Sequence, residues 1–252
     1  MHRLALARWF TSRTYIKALF CWTLLSTTAL WAGSEISGKV VARAIFRMGA
    51  GLVLLWVVGG GLLMWRSRDT VRGLVRRIGL PWQMTFVLFC TILALLEETI
   101  TTTLTNCAPW FGVPIGKAYI TASTNYLDVV CCHSVVVFVP LFIGWAVLLG
   151  RRAFSPNAAF LLFGLTGTLL EVLYGGPQQL AAYGMWTFVY GWMVYLPAYS
   201  LPQGRDARPP RWWEYPMAVF FPILFSAPVA AVLALYLQQH HHPSVHFPPL
   251  AP

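Results

Sequence analysis

The chain has 252 residues, of which 58% are hydrophobic and only 10% charged. Soluble domains carry about 25% charged residues, so the composition excludes an ordinary water-soluble domain and points to a lipid bilayer as the surrounding. The net charge of +10 does not indicate nucleic acid, because the basic residues cluster at the ends of apolar runs, where they would meet a membrane surface. The five Cys are odd in number and mostly inside apolar runs, which argues against a disulfide framework.

The N-terminus resembles a signal peptide, with basic residues followed by the apolar run from Ala18 to Ala32. No small-x-small cleavage site follows, since Leu30 spoils the nearest candidate, and the segment is expected to be an uncleaved first span. A span needs about 20 apolar residues. Seven candidates run roughly over 15–33, 48–65, 82–104, 129–150, 157–175, 180–201 and 216–237. The second contains Gly59-Gly60-Gly61, which weakens it as a helix while allowing close helix packing. Pro140, Pro197, Pro222 and Pro228 fall inside spans, where neighbours or water can satisfy the freed carbonyls. The expectation is one all-α integral membrane domain, residues 1–252, with a His- and Pro-rich tail over 238–252.

Basic residues set the orientation. With the N-terminus inside, the inner segments hold Arg3, Arg8, Arg13, Lys17, Arg66, Arg68, Arg72, Arg76, Arg77, Arg151, Arg152, Arg205, Arg208 and Arg211. The outer segments hold only Lys39, Arg43, Arg47 and Lys117. Fourteen against four predicts a cytoplasmic N-terminus and an extracytoplasmic C-terminus. Between 34 and 47, Lys39, Arg43 and Arg47 recur at helical spacing, as in a helix lying in the interface. Residues 202–215, rich in Pro and Arg, read as an inner loop with Trp212 and Trp213 at the headgroups.

The adjacent carboxylates Glu97 and Glu98 lie inside the third span. A charge near the bilayer centre costs roughly 2.5–3.5 kcal/mol on insertion scales, so the pair needs polar partners. This topology puts it in the outer third of the membrane, with His133 of span four and Glu171 of span five at a similar depth. Asn106, Asn125 and Asp128 flank the same level, and Gln178 and Gln179 lie in the next outer loop. Thr91, Ala94, Glu98, Thr101, Thr102 and Thr105 form one small, polar stripe suited to a bundle interior. Glu97 leaves the helix about 100° away, so the two carboxylates are not expected to point one way. Asn125, Asp128 and Cys132 share a face, whereas His133 is offset from Asp128 by about 140°, which disfavours a contact between them. Asp128 stands where a helix begins and suits a cap. The loop from Ala108 to Asn125 is long enough to fold over the site as a lid or to dip into the membrane, and an ordinary surface loop is an equal expectation.

This set predicts a site with Glu97, Glu98, Glu171 and His133 as acid, base or ligand groups. Asn106, Asn125, Asp128, Thr101, Thr102 and Thr105 would line it. Glu98, Glu171 and His133 are the expected ligands of a divalent metal such as zinc, which would activate a water. The tail residues His240, His241, His242 and His246 form a second tract able to bind metal. No phosphate-binding Gly loop, His-Glu-x-x-His or Ser-centred elbow appears. The expected activity is that of a membrane-embedded hydrolase or transferase acting on a lipid or other membrane substrate, in a plasma membrane such as the bacterial inner membrane. A non-catalytic subunit held among other membrane subunits and a proton- or cation-coupled carrier are the competing expectations.

Overall fold

The computed structural model describes residues 11–202 and 204–247. Arg3 and Arg8, and the last five residues of the tail, lie outside the described residues. The structure is 78% helical, with no strand among the described residues, which places it in the all-α class. The main helices are α1 (Ser12–Ile36), α2 (Val40–Val75), α3 (Trp82–Asn106), a short α4 (Tyr126–His133), α5 (Val135–Arg151), α6 (Pro156–Gly175), α7 (Tyr183–Tyr199) and α8 (Glu214–Gln239). Each of the seven apolar segments falls on one of these helices, with the fourth divided between α4 and α5.

Local signals start several of them. Thr11 caps α1 by accepting from the Thr14 amide, and Ser155 caps α6 by accepting from Ala158, with Pro156 at the first helical position. Ser37-Gly38 makes the turn into α2, with Gly38 at φ +68°, a conformation glycine adopts without a Cβ penalty. The expected interfacial helix is not separate. Its basic residues open α2, which continues for 36 residues, about 54 Å at 1.5 Å per residue. Glu35 at the end of α1 binds Arg47 at 2.7 Å and Arg43 at 3.9 Å.

Four helices, α2, α3, α6 and α8, are long and apolar enough to cross a membrane. The pair α4–α5, bent by 50°, makes a fifth if counted as one span. The surface of α3 follows the inside-out logic of a lipid setting. Met84, Leu88, Ile92 and Leu96 face outward and are half exposed, while Thr85, Glu97, Glu98, Thr101, Thr102 and Thr105 are buried. In water that arrangement would be unfavourable; in hydrocarbon it buries the polar groups and solvates the apolar ones.

Small residues and indole donors hold the bundle together. Gly164 and Gly191 bring α6 and α7 so close that an added Cβ would meet Thr187 O at 2.4 Å and Phe160 O at 2.8 Å. The Gly59-Gly60-Gly61 triplet does not break α2. Its backbone winds as a π-helix over Val53–Gly60, and Gly61 lies against the Trp192 indole. Trp192 Nε1 donates to Val57 O at 3.2 Å, and Trp56 Nε1 donates to Val189 O at 3.0 Å.

Two ends differ in chemistry. At one, Arg76 reaches Leu201 O, the Arg152 and Arg208 backbones pair, and Arg152 binds the buried Glu214 at 2.5 Å. Arg205 lies over the Trp82 ring, where burial pushes its guanidinium pKa down from the usual arginine value. At the other end, the loop 108–125 meets the start of α2, the end of α3 and the tail. Helices α3, α6 and α8 run toward this polar end, while α2, α5 and α7 run toward the basic end.

Gly164→Val is expected to lower thermal stability in detergent strongly, because the obstructing atoms are backbone and overpacking typically costs about 1–3 kcal/mol. Gly33→Ala, where an added Cβ meets nothing within 4 Å, is expected to leave the unfolding midpoint unchanged.

Candidate functional site

A cavity of about 660 Å³ lies at the polar end, between α3, α4, α5, α6, α7 and α8. Glu97, Glu98 and Thr101 reach it from α3, His133 from α4, and Glu171 from α6. Glu97 and Glu98 leave α3 about 100° apart, as the helical geometry requires, yet both line this cavity because it spans more than one face of α3. Both are almost fully buried, at 4% and 6% exposure. Glu98 Oε2 accepts from the Thr101 hydroxyl at 3.1 Å, and Ser134 lies beside the same carboxylate. Glu171 accepts a hydrogen bond from the Tyr190 hydroxyl of α7.

Aliphatic residues supply the other wall. Ala230, Leu233, Ala234 and Leu237 of α8 face the carboxylates' side of the bundle across the cavity. A second cavity of about 420 Å³ shares Glu171 and Trp186 with the first and lies toward α1 and the start of α2.

The acidic residues sort into two groups. Glu35, Asp69 and Glu214 pair with arginines, and Asp128 pairs with histidines. Asp206 is exposed. Among the described residues, Glu97, Glu98 and Glu171 alone are largely withdrawn from solvent without a cationic partner. Burial of a carboxylate without a counter-charge is expensive, and here three such groups share one cavity.

The remaining expected residues have other duties. Asn106 donates to Thr102 O and Thr124 O, both at 3.0 Å, and ties the end of α3 to the loop. The Thr105 hydroxyl accepts from the Ile120 amide at 3.2 Å. Thr102 is buried beside them, and its hydroxyl has no hydrogen-bond partner among the described residues. Asn125 caps α4, accepting from Leu127 at 3.0 Å and Asp128 at 3.4 Å. Asn125 therefore takes the capping position expected of Asp128. The loop 108–125 does fold over the site. Ala108, Val113 and Ala118 pack on Ala44 and Met48 of α2, and Ile120, Thr121 and Ala122 line the cavity. Gln179 accepts from Trp186 Nε1 at 3.1 Å, on the wall shared by the two cavities.

Glu98, Glu171 and His133 do not converge as one metal-ligand group among the described residues. The group whose ligand atoms come within 4.8 Å of one another is Asp128, Cys132 and His242. His133 stands next to this group, with its Nε2 3.8 Å from Asp128 Oδ2. The 140° offset expected for these two residues corresponds to α-helical winding. Over Val129–His133 the backbone is a π-helix, with Ser134 N bonded to Val129 O five residues back, which brings positions i and i+5 onto one side. Sequence reasoning also missed Tyr190 and Ser134. Tyr190 stands among the aromatics of α7, and nothing in its local pattern separates it from a packing residue.

No family model, curated protein or solved structure matches this chain.

Asn125→Ala is expected to remove the α4 cap and cost about 1 kcal/mol, read as a lower unfolding midpoint in detergent. Asn125→Asp, which keeps a capping oxygen, should restore most of the loss.

Proposed function

We propose that the chain is a seven-span enzyme of the plasma membrane, for example a bacterial inner membrane, with its N-terminus cytoplasmic, its C-terminus outside and a carboxylate site open to the outer half of the bilayer. The proposed chemistry is general acid–base hydrolysis or group transfer on a lipid-like substrate. The observation that carries this reading is the meeting of Glu97, Glu98 and Glu171, without cationic partners, in one cavity of about 660 Å³.

Three carboxyl groups in a low-dielectric site hold fewer than three charges between them. Such a site contains a proton donor and a proton acceptor at once. Glu98, which receives the Thr101 hydroxyl, is the proposed base. It takes the proton of a water, or of an acceptor hydroxyl in transfer. The freed oxygen then forms its bond to the substrate's electrophilic centre. Glu97 delivers a proton to the leaving group as that bond breaks. Glu171, oriented by Tyr190, completes the proton inventory and positions the polar part of the substrate. The aliphatic wall from α8 suits an acyl or isoprenoid tail.

Two further features support the reading. The cavity at the basic end, about 500 Å³ and lined by Arg76 and Trp82, shares no lining residue with the carboxylate cavity. Packed residues such as Cys90, Phe142 and Met193 fill the core, an arrangement less suited to a carrier with access from both faces. Arginines of four separate segments gather at the basic end, in keeping with a cytoplasmic placement.

Glu98→Gln and Glu97→Gln are each expected to reduce turnover about 10²–10⁴-fold while the protein stays folded. The measurement compares lipid extracts of cells producing wild-type or variant protein. A lipid species consumed only with the wild type supports the assignment; identical extracts from all three would overturn it. A single cysteine placed between 66 and 77 is expected to react with an impermeant maleimide only after the membrane is opened, and labelling of intact cells would reverse the orientation.

A further inference from the structure

We propose that Asp128, Cys132, His133 and His242 form a zinc site that fastens the C-terminal tail beside the carboxylate cavity. This inference does not rest on the enzymatic reading, because none of the four residues is assigned a step in it.

The four side chains come from two places far apart in sequence. Asp128, Cys132 and His133 project from the π-wound α4, and His242 follows α8. His242 Nε2 lies 2.9 Å from Asp128 Oδ1, and His133 Nε2 lies 3.8 Å from Asp128 Oδ2. The Cys132 thiol completes a set whose atoms lie within 4.8 Å of one another with Asp128 and His242. The His133 and His242 ring centroids are 5.5 Å apart. Zinc bonds of about 2.0–2.3 Å in tetrahedral geometry place ligand atoms roughly 3.3–3.8 Å from one another. Asp128, Cys132 and His242 come close to that requirement, and His133, which stands 3.8 Å from Asp128 but outside that set, would have to swing inward to complete it. A mixed thiolate, imidazole and carboxylate set favours zinc over magnesium or calcium, which prefer oxygen alone.

A second observation gives His133 a lone pair to offer. His133 Nε2 is buried and has no hydrogen-bond partner, although a buried polar atom normally finds one. Three imidazoles surround a single carboxylate, since His246 Nδ1 also lies 3.2 Å from Asp128 Oδ2. His246 has the place of an outer-shell partner that orients the ligating carboxylate. Its backbone amide donates to Ala122 O at 2.7 Å, and Phe247 stacks near Tyr119 at 4.8 Å. The tail is thus laid along the same loop that covers the cavity. Cys132, His133 and His242 themselves line that cavity, so the metal would fix part of its wall.

The test uses full-length protein purified in detergent with a tag other than polyhistidine, stripped with chelator and titrated with zinc. One tightly bound zinc per chain is expected for the wild type, for Glu98→Gln and for the His240→Ala/His241→Ala double variant. Asp128→Asn, Cys132→Ser and His242→Ala should each bind at least about 100-fold more weakly, more than the loss of an outer-shell partner produces. Cobalt in place of zinc should show a thiolate charge-transfer band that disappears in Cys132→Ser. Loss of zinc from the His240/His241 variant with retention in Asp128→Asn would overturn the site in favour of a nonspecific histidine tract. Alkylation of the wild type covers the case of a variant that fails to fold. Zinc should slow modification of Cys132 and leave the exposed Cys131 unaffected, and equal rates with and without zinc would also overturn the site. Zinc bound normally by an inactive Glu98→Gln protein would separate the two proposals, and each can fail without the other.

Discussion

The cost of withdrawing charge from water governs how this chain arranges itself. Only eight of its 252 residues are acidic, and the structure accounts for each. Arginines neutralise Glu35, Asp69 and Glu214 where the chain turns or at helix ends. Tyr199 adds a hydroxyl donor to Asp69 at 2.8 Å, while Arg68 and Arg72 lie over its ring. Glu214 is withdrawn from solvent against its arginine, whereas Glu35 and Asp69 keep solvent contact beside theirs. The carboxylates of α3 and α6 follow a different rule. Glu98 and Glu171 are met by hydroxyls from Thr101 and Tyr190, which can stabilise either protonation state because a hydroxyl both donates and accepts. An arginine would have locked the charge in place. A hydroxyl leaves the proton free to move.

The same cost made much of the fold legible in the sequence. Backbone groups in hydrocarbon must bond within their own segment, so apolar runs of sufficient length had to be helices, and all seven runs coincide with helices. The inward stripe of α3 was legible for a related reason. Glu98, Thr101, Thr102 and Thr105 repeat at helical spacing and are all buried. The grouping of Glu97, Glu98 and Glu171 at one level followed from the alternation of the helices. Apolar length alone does not separate a helix facing lipid from one enclosed by protein, however. Helix α7, with 17 residues, is shorter than a typical span and is buried on most of its surface. Its aromatic-rich sequence describes a packing core as well as it describes a membrane interface.

What escaped the sequence has a common cause, which is departure from α-helical winding. Every angular argument assumed 100° per residue. That holds for α3 and fails in α4, where the π turn carries His133 round toward Asp128 and away from a ligand group with Glu98 and Glu171. The second π segment, Val53–Gly60, had a similar effect on α2, where a glycine triplet expected to weaken the helix became the surface against which Trp192 packs. Single-turn π insertions are often found at functional sites. Here one of the two sits where five polar side chains converge. Contacts between residues 114 positions apart, such as His242 with Asp128, leave no local pattern at all, and only the docking of the tail on Ala122 reveals them.

Polarity in this molecule is confined more narrowly than its composition required. Threonines are spread along most of the helices, and most bond a carbonyl four residues back, as Thr91, Thr166 and Thr168 do. Such bonds satisfy the hydroxyl within its own helix and leave nothing for a ligand. Thr101 is bonded in the same way to the carbonyls of Glu97 and Glu98, yet it also reaches the Glu98 side chain. Three carboxyls without a cationic partner, the His133 imidazole and the Cys132 thiol line one cavity at one end of the bundle, while other buried groups without a partner among the described residues, such as Thr102 Oγ1 and Trp145 Nε1, lie outside its lining. Unused hydrogen-bonding capacity in a low-dielectric interior is destabilising unless something binds there. Gathering three carboxyls without a counter-charge in one cavity concentrates that cost at the polar end, and the proposed function rests on that gathering.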